Sequence, residues 1–294
     1  MPLATLWGHR DGSRVRMLQL MAIEANEGQR NELAASGAPA KLVQLVKEGA
    51  PVEEVIGALQ NFAASSHAED DVKSELVRAG VIPTLLSVLQ VDELSPVVQM
   101  SAIAVMLNLA IGCEARKALI SKCGAIQLIA PLVLHIDHSV QCVDLQGSAM
   151  RALTSLSIGS EARKIEIARC LDMAGLMASM STDVSPELWQ PSLALIQSLV
   201  FCNDNRKRLV LDLGFIEKAT LLLVSGEMAP DLEAMVEKLL VGFAAFKGII
   251  AKESCSSVAN MDGGANADNA DSGFVVDTLS AVGSAFSWLI AGDT

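Results

Sequence analysis

Apolar residues along most of this chain recur three and four positions apart, the spacing of one buried face on an α-helix. Val81-Ile-Pro-Thr-Leu-Leu-Ser-Val-Leu89 and Ala125-Ile-Gln-Leu-Ile-Ala-Pro-Leu-Val133 each hold it over nine residues. A glycine stands directly before both, Gly80 and Gly124. Glycine tolerates the positive φ that closes one helix and lets the next begin. A short, more polar helix is predicted before each such glycine. After the second helix comes a polar break with a proline: Pro51, Pro96, Pro186 or Pro230. Proline suits a first helical turn. A longer, Ala-rich helix follows, as in Val97 to Leu109.

The same grammar recurs. Ile111-Gly-Cys-Glu-Ala-Arg-Lys117 and Ile158-Gly-Ser-Glu-Ala-Arg-Lys164 differ at one position and lie 47 residues apart. Helical patterns on both sides keep that register. Gly37, Gly80, Gly124, Gly175 and Gly214 are read as five equivalent turns, 43, 44, 51 and 39 residues apart. The long step comes from extra residues at 135–146 and near Leu171. A three-helix unit of this size cannot bury its own apolar faces, so neighbouring units must stack.

The pattern resembles the armadillo repeat. Leu59-Gln-Asn-Phe-Ala63 and Leu107-Asn-Leu-Ala110 match the end of that family's third helix, and 81–89 match its Gly-x-x-Pro and Leu-x-x-Leu-Leu segment. The resemblance covers roughly 14–246. It implies an all-α, armadillo-type α-solenoid, a right-handed superhelix of about five three-helix repeats. The solenoid takes 1–252, with repeats at about 14–49, 51–92, 95–138, 140–182 and 185–226 and a terminal remnant at 230–250. Second helices such as 214–224 are expected on the convex side. Third helices, near 15–25, 52–64, 96–110, 145–157, 186–200 and 231–245, are expected on the concave side.

Armadillo arrays are, by this resemblance, binding platforms without chemistry of their own, and their concave third helices receive a partner peptide or helix. The expected groove residues are Asn61, Asn108, Arg151, Ser155 and Ser198. Asn61 and Asn108 can donate to and accept from a ligand backbone, or stabilise their own helix ends. Importin-α-like members carry Trp four residues before the Asn. Here those positions are Gly57 and Ala104, and Ala22, Ser155 and Ser198 replace the Asn in other units. Recognition of basic nuclear signals through a Trp/Asn array is therefore not expected. The size also resembles small armadillo-type Hsp70 nucleotide-exchange cofactors, an alternative that no residue here singles out.

Charge refines the partner. Asp and Glu outnumber Lys and Arg by 34 to 22, a net charge of −12. Glu53, Glu54, Asp144, Glu187, Asp231, Glu233 and Glu237 fall on or near third helices. They favour a protein partner with basic segments, or simply complement helix N-termini. The acidic balance argues against duplex binding. Aromatic residues are only 3% of the chain and include no Tyr, which argues against base-stacking modules.

No phosphate-binding, zincin or nucleophile-elbow motif occurs, so no enzyme activity and no cofactor is expected. His135-Ile-Asp-His138 with Cys142 is the nearest zinc candidate. It reads more economically as a polar loop, and no metal site is expected. Glu114/Arg116 and Glu161/Arg163 repeat with the units and read as repeat grammar. Six Cys without a CxxC pair are expected to be reduced and mostly buried. Neither a signal-peptide pattern nor an Asn-x-Ser/Thr sequon is present, consistent with a cytoplasmic or nuclear address.

Composition shifts after Lys252. Residues 253–273 are rich in Gly, Asn, Asp, Ser and Ala and are expected to be a disordered linker. Residues 274–291 place Val275, Leu279, Val282, Phe286 and Leu289 on one helical stripe. A short amphipathic helix that docks is expected there. It has no basic flank and falls short of a membrane span. The nearest site for it is the open end, where Leu239, Leu240, Phe243 and Phe246 have no following repeat to cover them.

Overall fold

The structure is a computed structural model that describes residues 32–64, 71–91, 94–134 and 140–259. These are helical throughout, with no strand among them. After a helical turn at 32–35 come α1 (Ala38–Lys47) and α2 (Val52–Ala63). The next unit is α3 (Asp71–Arg78), α4 (Val81–Leu89) and α5 (Pro96–Ala110). Then follow α6 (Glu114–Lys122), α7 (Ala125–Ile129) and α8 (Val140–Ser157), and after them α9 (Glu161–Cys170), α10 (Met173–Ala178) and α11 (Trp189–Val200). The last set is α12 (Asp204–Asp212), α13 (Phe215–Ser225) and α14 (Pro230–Ala259).

The expected turns form at Gly37, Gly80, Gly124 and Gly214, all with φ between 80° and 90°. Each stands directly before a second helix. Gly175 is a correction. It lies inside α10, and the turn is made instead by Leu171 and Asp172, whose carboxylate caps α10 by accepting from the Ala174 amide at 3.0 Å. Gly175 is there for space. A Cβ on it would fall 2.7 Å from a Leu134 methyl. Leu134 ends the 3-10 turn Ala130–Leu134 that continues α7. That turn contains Pro131, which cannot donate a helical hydrogen bond.

Third helices pack successively, α2 on α5, α5 on α8 and α8 on α11. Their inward faces supply much of the core, including Leu59, Phe62, Ile103, Met106, Leu109, Leu153 and Ile196. One apolar cluster runs from Leu33 to Phe243. The chain divides into two compact units, 1–243 and 244–294, with the boundary inside α14. That helix continues to Ala259, past the boundary expected at 252. Leu239, Leu240, Phe243 and Phe246 are all buried. Phe243 lies against Phe215 with ring centroids 4.6 Å apart. Among the described residues no single helix is long and apolar enough to cross a membrane.

Candidate binding face on the third helices

Asn61, Asn108, Ser155 and Ser198 occupy one equivalent position near the ends of α2, α5, α8 and α11. All four are half-buried. Between each and the helix end sit buried residues such as Phe62, Leu109, Leu156 and Leu199 that hold the helix in the stack. Among the described residues, neither the Asn61 nor the Asn108 amide is bonded to another protein group. Ser198 donates to the Leu195 carbonyl of its own helix at 2.8 Å. Arg151 is exposed one turn before Ser155 and donates to the Ser148 hydroxyl at 3.1 Å. Its guanidinium lies close over Gly147. The corresponding positions in the other units are small: Gly57, Ala104 and Ala194.

Acidic groups gather toward the other ends of these helices. Glu53, Asp144 and Glu187 are exposed. Glu187 accepts a hydrogen bond from the Ser185 hydroxyl, which with the local backbone holds its carboxyl below the usual range. Glu54 is different, because its Oε2 is buried and accepts no hydrogen bond.

A chain of buried arginines fixes the helices that carry this face. Arg116, Arg163 and Arg206 lie inside the fold, and their Nε atoms donate to the carbonyls of Leu109, Leu156 and Leu199. Those carbonyls are among the last in each third helix, where intrahelical partners run out. Arg163 then reaches Glu114 of the preceding unit, and Arg206 reaches Glu161, each at 2.5 Å. Glu161 also accepts from Asn203 at 3.3 Å. The hydrogen bond from Arg206 is the main reason its carboxyl sits below the usual range, and the opposing cost of burial is smaller. The sequence reading of these pairs as repeat grammar fits, but its pairing within a unit missed that they bridge units.

Among the described residues no disulfide links Cys113, Cys123, Cys142, Cys170 or Cys202, and of these Cys142 alone is fully buried. Cys113 and Cys170 are partly covered, while Cys123 and Cys202 are exposed in inter-helix turns, a correction to the expectation of mostly buried thiols. Among the described residues no group of three metal-capable side chains comes together. His135 and His138 lie outside the described residues, as do 260–294 with Val275, Leu279, Val282, Phe286 and Leu289.

No family model and no curated protein matches the sequence. Solved structures do match. A designed armadillo repeat protein aligns over 81% of this chain and 97% of its own, at 19% identity and a TM-score of 0.68. An engineered protein aligns over 82% and 96%, at 22% identity and a TM-score of 0.69. A designed armadillo repeat protein in complex with the peptide (KR)4 aligns over 79% and 92%, at 21% identity and a TM-score of 0.66. The chain has an armadillo-like repeat fold, an all-α solenoid.

Proposed function

We propose that this protein is a non-enzymatic scaffold that binds an extended segment of a partner protein along the concave face of its third helices. Asn61 and Asn108 carry the reading. They repeat in adjacent units, stay half-exposed and, among the described residues, make no side-chain hydrogen bond with amides that each offer a donor and an acceptor. A peptide backbone crossing the helices presents the complementary pair. The small residues Gly57, Ala104 and Ala194 leave room for it. Exposed Glu53, Asp144 and Glu187 favour basic side chains on one side of that segment. The similar designed solenoid is bound to a Lys/Arg peptide, which supports this mode of binding. No residue here favours the alternative of an Hsp70 nucleotide-exchange cofactor, and a measurement of ADP release from Hsp70 separates the two.

The test is selection of a displayed random-peptide library on the full chain. Titration of the best peptide against Asn108→Ala/Arg151→Glu should then show at least tenfold weaker binding with an unchanged melting temperature. Normal binding by that variant, with loss on convex-face substitution, overturns the groove.

A further inference from the structure

The residue that follows each of three third helices is large, apolar and exposed. Ile111, Ile158 and Phe201 are 51%, 55% and 65% exposed. Side chains of this type are usually drawn into the core. Ile111 and Phe201 close their helices with φ of −58° and −56°, so their side chains keep the helical direction, while ψ of 128° and 122° carries the following chain out of the helix. The preceding unit contacts Ile158 and Phe201. Lys117 donates to the Ile158 carbonyl at 3.4 Å and Lys164 to the Phe201 carbonyl at 3.5 Å. The Lys164 ammonium also lies 5.3 Å from the Phe201 ring centre. Between Ile158 and Phe201 opens a cleft of about 430 Å³, lined also by Ser157, Lys164, Ser198 and Cys202. That is the low end of the ~300–1,000 Å³ range of ligand pockets.

Two observations say what the cleft takes. The first is position. Ile111, Ile158 and Phe201 each lie three residues after Asn108, Ser155 and Ser198, and so beside them on the same helix face. Ser198 lines both the cleft and the proposed groove. The second is charge. The carboxylates beside this edge, Glu114 and Glu161, are already bonded by Arg163 and Arg206. Lys117 and Lys164 add positive charge there, so the edge does not share the acidity of the opposite helix ends.

We propose that this edge reads apolar side chains in the partner segment. Resting on the groove reading, the inference adds its specificity. One Leu-, Ile-, Met- or Phe-class side chain enters the cleft between Ile158 and Phe201, and another lies against Ile111. Packed helices stand ~8–10 Å apart, so the cleft lies about one and a half spacings from Ile111 and these side chains are about four residues apart in an extended chain rising about 3.3 Å per residue.

The experiment uses the best peptide from the random-library selection, titrated into the full chain and into Phe201→Ser, Phe201→Leu and Asn108→Ala. Peptides bearing apolar residues at that spacing are expected. Phe201→Ser should weaken them at least tenfold at an unchanged melting temperature, with Phe201→Leu restoring most of the affinity. Selected peptides without an apolar residue, weakened by Asn108→Ala and indifferent to Phe201→Ser, overturn the edge and leave the groove standing. Failure to enrich any peptide counts against both. Loss with Phe201→Ser but not with Asn108→Ala supports the edge and removes the groove.

Discussion

At the scale of single residues, the arginine chain does what the helices cannot do alone. Arg163 and Arg206 each satisfy a terminal carbonyl through Nε and a carboxylate of the preceding unit through a terminal nitrogen. Only arginine offers donors in such a fork, so Arg206→Lys cannot serve both partners. Arg206→Met should cost about 1–3 kcal/mol, because the Leu199 carbonyl loses its partner in the interior. Glu161 is 51% exposed at its side chain, so its share of the pair is screened. A double-mutant cycle of Glu161→Gln with Arg206→Met, read by urea unfolding, should give a coupling of roughly 0.5–1 kcal/mol. The folded-state pKa of Glu161 is depressed. Its contribution is therefore present above the unfolded carboxyl range and is lost as pH falls through the lowered value. Wild type should lose more stability than Glu161→Gln between neutral pH and that acid range. Equal losses would show that the pair does not hold in solution.

Cys202 is the other informative residue. It has φ of 56°, in a turn where the equivalent residues are Gly112 at 70° and Gly159 at 87°. A side chain there costs about 1–2 kcal/mol. Cys202→Gly should therefore melt above wild type and Cys202→Val below it, in thermal unfolding followed by circular dichroism. The opposite order would mean that the turn does not hold a positive φ.

At the scale of elements, legibility followed periodicity. Second helices were readable because leucines at three- and four-residue steps begin directly after Gly80, Gly124 and Gly214. The same rule misplaced Gly175, since a glycine needed for a close approach and one needed for a positive φ look alike in sequence. What distinguishes them is Leu134, 41 residues away along the chain. A Cβ at Gly175 would overlap its methyls, yet those sit at the end of a rotatable side chain. Removing the obstacle should expose the helix preference of alanine, about 0.5–1 kcal/mol over glycine. Gly175→Ala should therefore stabilise a Leu134→Ala background more than it stabilises wild type, as measured by urea midpoint. The Glu–Arg bridges and the apolar edge escaped sequence reading for a related reason. Arg163 meets Glu114 across 49 residues, and Ile111 reads as the buried continuation of an Ala-rich helix, although the stack leaves it exposed.

At the scale of the molecule, a stack of units has no single centre. α8 packs between α5 and α11, and each third helix in turn contacts chiefly its neighbours. In such arrays stability is close to a sum of unit and interface terms. Leu153 in α8 is fully buried, and Leu153→Ala should cost about 2–5 kcal/mol through lost burial and the cavity left behind. The damage should be local. Hydrogen exchange should show the largest loss of protection in α8, a smaller loss in α5 and α11, and the least in α2. Urea unfolding should broaden, with a lower slope, as the two flanks uncouple. The third-helix face is built on this stack, so the same substitution should also weaken any peptide that spans Asn108 and Phe201, since both anchors depend on the register of α5, α8 and α11. Uniform loss of protection, with one transition as sharp as that of wild type, would instead show that the array folds and binds as a single cooperative body.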